Sequence, residues 1–133
     1  MALVCAYATG FAQGKAPAAV TTAFSQKFPN ATNIEWDKES THEYEAAFEW
    51  MGEKHSANFS DTGEWLETET TSSFDKLPAK VQTAFNASQK GTTIKAVSKI
   101  ETSKGITKYE VEIKKAGKTI ELFYSAVGSE LKE

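Results

Sequence analysis

With 133 residues, of which 40% are hydrophobic and 25% charged, the chain has the size and balance of one soluble domain or of two small units sharing a core, which excludes a multidomain enzyme, a fibre and a disordered chain. Its net charge is −3 and every basic residue is Lys; without the guanidinium forks that grip phosphate, an acidic chain is a poor nucleic-acid binder. The charge is also divided, because residues 13–70 hold four lysines against eleven acids, a net of −7, whereas residues 71–133 hold eleven lysines against seven acids, a net of +4.

The opening segment "ALVCAYATGFAQ" has no charged residue, and Gly10-Phe11-Ala12 before Gln13 has the small-x-small form of a signal-peptidase site. Residues 1–12 are therefore read as a signal-peptide remnant, and the mature chain is expected to be periplasmic, exported or held at the cell surface. The apolar run falls short of the about 20 residues needed to cross a bilayer, so no membrane insertion of the mature chain is expected. Cys5, the single cysteine, would leave with this segment, and disulfide or thiol chemistry with it.

The first unit, residues 13–70, opens with a helix. Pro17 suits a first helical turn, Val20, Phe24 and Phe28 recur every four residues, and Pro29 stops the run. A strand is expected around "NIEWDK", then a half-buried one at "YEAAFEW", where Tyr44, Ala46, Phe48 and Trp50 alternate with Glu45, Ala47 and Glu49. The turn at Gly52 leads to "EKHSANFS" with His55, Ala57 and Phe59 inward, and the turn at Gly63 leads to "EWLETE". The polar stretch "TETTSSFDK", Thr68 to Lys76, reads as a link.

The second unit, residues 71–133, repeats the pattern. "PAKVQTAF" from Pro78 matches "PAAVTTAF" from Pro17 at six positions, with Leu77, Val81 and Phe85 as its stripe and Gly91 as its stop. After "IKAVSKIE" come "YEVEIKK" with Tyr109, Val111 and Ile113 inward, and "KTIELFYS" with Ile120, Leu122 and Tyr124 inward. Gly117 and Gly128 supply the turns, and "SELKE" ends the chain. The expected fold is α+β: a tandem repeat of one helix followed by a three- or four-stranded antiparallel meander, with the helices on one face of the sheet and both copies in one compact domain.

Candidate chemistry is sparse. His42 and His55, the only histidines, lie among many acids, yet two histidines in separate strand regions do not make the three or four converging ligands of a metal site. His55 matches Ile120 in the second copy, which places it in a half-buried core position. There is no Gly-x-Ser-x-Gly and no phosphate-cradling loop, so no catalytic residue, no cofactor and no enzyme activity are expected. "FSDTGEWLETE" gathers Asp61, Glu64 and Trp65 around a turn. Trp50 and Trp65 match Lys115 and Glu130, so these two indoles are expected near the surface as anchors for a partner. Asp61 and Glu64 complete the candidate binding set.

The helix "LPAKVQTAF", the strands of "KYEVEIKKAGKTIELFYSAVGSELKE" and the turn "FSDTGEWLETE" together resemble the PepSY-like, beta-lactamase-inhibitor-like domains of exported bacterial proteins. The resemblance implies a non-catalytic exported binding or inhibitor-like module with a protein partner, and it brings no catalytic residues with it. Asp61-Thr62-Gly63 lacks the second acid of that family's Asp-x-Asp-Gly turn, which argues against a shared metal loop. The alternative function is a periplasmic small-molecule or metal-ion sensor using the acidic first unit with His42 and His55.

Overall fold

The computed structural model describes residues 15–132; residues 1–12, read from the sequence as a signal-peptide remnant, lie outside the described residues together with Cys5. Helix α1, Ala18–Lys27, starts at Pro17, whose carbonyl accepts the N–H groups of Val20 and Thr21 at 3.0 Å. A proline costs nothing there, since it has no N–H to leave unpaired. The helix ends where the Phe28 N–H bonds to the Phe24 carbonyl at 2.8 Å; Pro29 cannot continue it, and Asn30 turns the chain with φ of 66°. Four strands follow: β1 Thr32–Ser40, β2 Glu43–Trp50, β3 Glu53–Ser60 and β4 Trp65–Thr71. After a 3-10 turn at Phe74–Lys76 come helix α2, Ala79–Ser88, and strands β5 Thr93–Thr102, β6 Thr107–Lys115, β7 Lys118–Ser125 and β8 Glu130–Leu131.

The expected tandem of helix-plus-meander copies is corrected by the strand order. The described residues form two helices and one eight-stranded antiparallel sheet running β1 to β8 in chain order. Much of the reason lies in the supposed link. Thr68, Thr70 and Thr71 are β-branched residues that suit extended backbone, and they lie in β4, so the start of the polar stretch, Thr68 to Thr71, is sheet where an irregular connection was expected. Polarity alone concealed a strand. The chain divides at Glu69–Thr70 into two compact units.

In the first unit, alternation along the strands buries one face against α1. Tyr44, Ala46 and Phe48 from β2 and Ala57 and Phe59 from β3 pack with Val20, Phe24 and Phe28. The Phe24 ring contacts four others, with centroids 5.4 Å from Phe28, 5.3 Å from Trp36, 4.8 Å from Phe48 and 6.1 Å from Phe59. In the second unit, Val81 and Phe85 of α2 pack with Val97, Val111, Ile113 and Tyr124. Ile120, expected inward, is 38% exposed while Ile113 across from it is fully buried, so the packed face ends at the last rungs of the β6–β7 hairpin. Leu66 of β4 is half-buried.

The sheet positions that alternate with the core are partly dry. Ser56, Asn58, Ser98, Glu110 and Phe123 are buried, although each alternates with core positions. Long neighbours lie over two of them: Asn58 donates to Glu43 Oε1 at 2.8 Å, and the Lys108 ammonium sits 5.1 Å from the centre of the Phe123 ring. Flexible stems can cover a sheet without any helix.

The Gly63 turn meets α1 closely. With φ of 89°, a Cβ at Gly63 would stand 2.6 Å from the Ala19 carbonyl oxygen, and both the left-handed backbone and the contact require glycine. Gly63→Ala is expected to destabilise the chain by about 2–3 kcal/mol, since the unfavourable φ adds to the overlap. A urea titration followed by Trp fluorescence checks it, because Trp36, Trp50 and Trp65 all precede Glu69. A loss below about 0.5 kcal/mol, the range of an ordinary surface change, would mean that the turn does not rest on the helix.

Candidate functional site

The face of the first unit turned away from α1 is lined with carboxylates. Trp36 packs with the core, so its neighbours Glu35 and Asp37 point the opposite way. Asp37 pairs with Glu45 and Glu35 with Ala47 across β1 and β2, and Glu45 pairs with Asn58 across β2 and β3. Glu43, on the same side of β2, is bonded to Asn58. Burial, then the charges of Glu39, Glu69, Asp37 and Glu67, push the Glu45 carboxyl up from its ordinary 4.5 to about 8. Glu39 is raised as well, first by burial and then by Asp37 and Glu43. Crowded acids with few counter-charges hold protons at neutral pH.

The unit's own lysines do little to neutralise this face. Lys27 lies 3.7 Å over the Trp65 ring and Lys38 lies 6.0 Å from the Tyr44 ring, both with the core aromatics. Lys15 precedes α1, and Lys54 sits across from Glu49 near the far end of the β2–β3 hairpin. In the sequence these acids merely alternate with core residues, as they would on an ordinary solvent face. The signal that could have singled them out was the net of −7 in residues 13–70, combined with strand parity.

The residues singled out in the sequence are distributed as follows. Trp50 and Trp65 are half-buried and packed against the first unit's core. The Trp50 indole donates to the Pro29 carbonyl at 2.9 Å, and the Trp65 indole donates to Thr68 Oγ1 at 2.9 Å. Trp50 also lines a surface depression of about 390 Å³ with Asn30, Glu49, Met51 and Glu53, where Met51 is 81% exposed. Asp61 is tied to the β1–β2 turn, since its N–H donates to the His42 carbonyl at 2.9 Å and its carboxylate lies 2.8 Å from His42 Nδ1. Glu64 is exposed.

His42 and His55 are not brought together. Glu43, next to His42, pairs with Ser60, while His55 pairs with Phe48; five rungs of strand, about 17 Å, separate those two levels. His55 stacks on Phe48 with centroids 5.5 Å apart, and its Nε2 lies 3.2 Å from the Trp50 carbonyl, which fits an Nε2–H donor. Ser60, next to the His42–Asp61 pair, turns its hydroxyl to Thr62 and to the Glu64 N–H, so it is not poised as a nucleophile. In the second unit the carboxylates of Glu110, Glu112 and Glu121 come within 4.8 Å of one another. Burial and the charge of Glu112 raise Glu121, as expected when like charges share a small space.

Among the described residues no helix is long and apolar enough to cross a membrane. Residues 42–132 match the family described as "Putative beta-lactamase-inhibitor-like, PepSY-like". A "putative periplasmic" protein from Bacteroides eggerthii has the same fold, with a TM-score of 0.82 at 24% identity over 90% of this chain and 88% of that one. A DUF2874 family protein from Bacteroides ovatus gives 0.79 at 24% identity over 90% and 86%. A BLIP-like protein from Bacteroides fragilis gives 0.75 at 28% identity over 90% and 85%. No curated protein matches the chain. With the family pattern covering more than half of its length, the chain belongs to the PepSY-like, beta-lactamase-inhibitor-like family.

Proposed function

We propose that this chain is a non-catalytic, exported binding module that holds a basic segment of a protein partner against the carboxylate face of its first unit. The observation that carries the reading is the convergence of Asp37, Glu39, Glu43 and Glu45 on one sheet face, with Glu45 raised to about 8. A Lys or Arg side chain placed there would relieve the repulsion and draw the proton off Glu45. Affinity is therefore expected to rise with pH toward 8. Membership of a beta-lactamase-inhibitor-like family supports a role exercised by a surface and not by a reactive group. The uncharged N-terminal segment and the periplasmic description of the Bacteroides eggerthii protein support a periplasmic site of action. Trp50, beside exposed Met51, supplies an apolar anchor at the end of the β2–β3 hairpin. Trp65, Asp61 and Glu64 border the Gly63 turn, where exposed Glu64 extends the acidic character.

Isothermal titration of the full chain with a lysine-rich peptide and with a neutral peptide of equal length tests this reading. Tighter binding of the basic peptide is expected, accompanied by proton release. Asp37→Asn with Glu39→Gln should weaken it about tenfold, or about 1.4 kcal/mol. Equal binding of both peptides, or an unchanged constant in the double variant, would overturn it.

A further inference from the structure

We propose that the end of the second unit formed by the β6–β7 hairpin and the segment entering β5 docks on an anionic phospholipid surface. This proposal concerns different residues from the carboxylate face and stands apart from it. The two segments are "QKGTTIKA", Gln89 to Ala96, and "IKKAGKTI", Ile113 to Ile120. They hold Lys90, Lys95, Lys114, Lys115 and Lys118 and no acid, a concentration of positive charge unlike the rest of an acidic chain. The register places them at one end of the sheet, since Thr93 pairs with Lys114, Lys114 with Thr119 and Lys115 with Lys118. All five lysines are exposed, and none of them takes part in an ion pair among the described residues.

A second feature of this end is apolar. Ile94 pairs with Ile113 and Ile113 with Ile120, so three isoleucines form one row across β5, β6 and β7. The middle one is fully buried, while Ile94 is 36% exposed and Ile120 is 38% exposed. Two partly uncovered branched side chains beside five ammonium groups give the pairing of signals that stable attachment to a bilayer surface requires: attraction to acidic headgroups and shallow burial among the upper acyl carbons. Each lysine near an anionic leaflet contributes about fivefold in affinity, and the effect fades within about 10 Å at ordinary salt. The local lysines therefore outweigh the chain's net charge of −3.

Other polyanions fit less well. The chain has no Arg to fork onto phosphates, and neither segment carries an aromatic residue on which a base could stack. Isoleucines at the rim gain nothing from a nucleic-acid backbone, whereas a lipid interface accommodates them. Ammonium groups on flexible stems suit the diffuse charge of phospholipid headgroups.

Co-sedimentation of the full chain with vesicles of phosphatidylglycerol and phosphatidylcholine, and with phosphatidylcholine alone, tests the proposal at low and high salt. Binding is expected to the anionic vesicles only, and to weaken as salt rises. The triple variant Lys114→Gln, Lys115→Gln, Lys118→Gln should bind about a hundredfold more weakly, while the Lys→Arg triple at the same positions should bind as the parent does. Ile94→Ser with Ile120→Ser should lose several-fold and keep its salt dependence. The N-terminal apolar segment is common to all these proteins, so differences between them report the hairpin end. Equal binding to phosphatidylcholine, an unaltered glutamine triple, or retention on duplex DNA or an acidic protein without retention on anionic vesicles would overturn the proposal.

Discussion

Stability of the parent chain should fall as pH rises from about 4.5 to about 8, and Glu45→Gln should remove most of that fall. The folded chain holds the Glu45 proton up to about 8, whereas an unfolded glutamic acid releases it near its ordinary 4.5. Below 4.5 both states are protonated and the contribution to stability is fully present. Between the two values only the unfolded state gains by losing its proton, so stability declines, and above about 8 the loss is complete. At about 1.4 kcal/mol for each pH unit of difference, the decline from this group amounts to about 3–5 kcal/mol. The groups acting on it are Asp37 and Glu39 from β1 and Glu67 and Glu69 from β4, with Glu43 on its own strand and the neutral Asn58 opposite on β3. Glu39 and Glu121 are raised too and act in the same direction. Asp75 is lowered by the Ser73 hydroxyl, and its contribution is lost instead at the acid end. Thermal melts across the range, parent against Glu45→Gln, decide the point: parallel curves would show that Glu45 is not the proton-holding group.

Phe24→Ala should cost about 3–5 kcal/mol, in the range for deleting a buried aromatic ring. Phe24 is 2% exposed and is the one ring of α1 that touches Phe28, Trp36, Phe48 and Phe59 together. Its removal leaves a hole walled by rings, which cannot collapse without tilting the helix or the sheet. Because Trp36, Trp50 and Trp65 all precede Glu69, a denaturant titration read by Trp fluorescence reports this unit directly. A drop of less than about 1 kcal/mol would place the weight of the core elsewhere.

Both helices were legible from Pro17, Pro78 and the spacing of Val20, Phe24, Val81 and Phe85, because a buried helical stripe imposes that spacing. The strands from Tyr44 and Tyr109 onward were legible from alternation, and the one through "IKAVSKIE" from its match to the first unit. Thr68–Thr71 was misread, since a polar strand and a polar link have similar composition and only pairing distinguishes them. The candidate site was legible in part: Trp50 and Trp65 drew notice as aromatics matched to charged residues, but their indole bonds to Pro29 and Thr68 join positions whose approach depends on the folded chain. The histidines, grouped in the sequence by their acidic surroundings, end five rungs apart.

The sequence by itself determined the two helices, most of the strands and inward-facing positions, and the opposed charges of the two halves, all of which follow from local periodicity and composition. The tertiary structure alone decided that the sheet runs through eight strands, that Asp37, Glu39, Glu43 and Glu45 share one face, and that five lysines and two isoleucines meet at one end of the second unit. Strand register is the physical reason. It places residues far apart in the chain within contact distance, and no property of either segment taken singly encodes which rung it will meet.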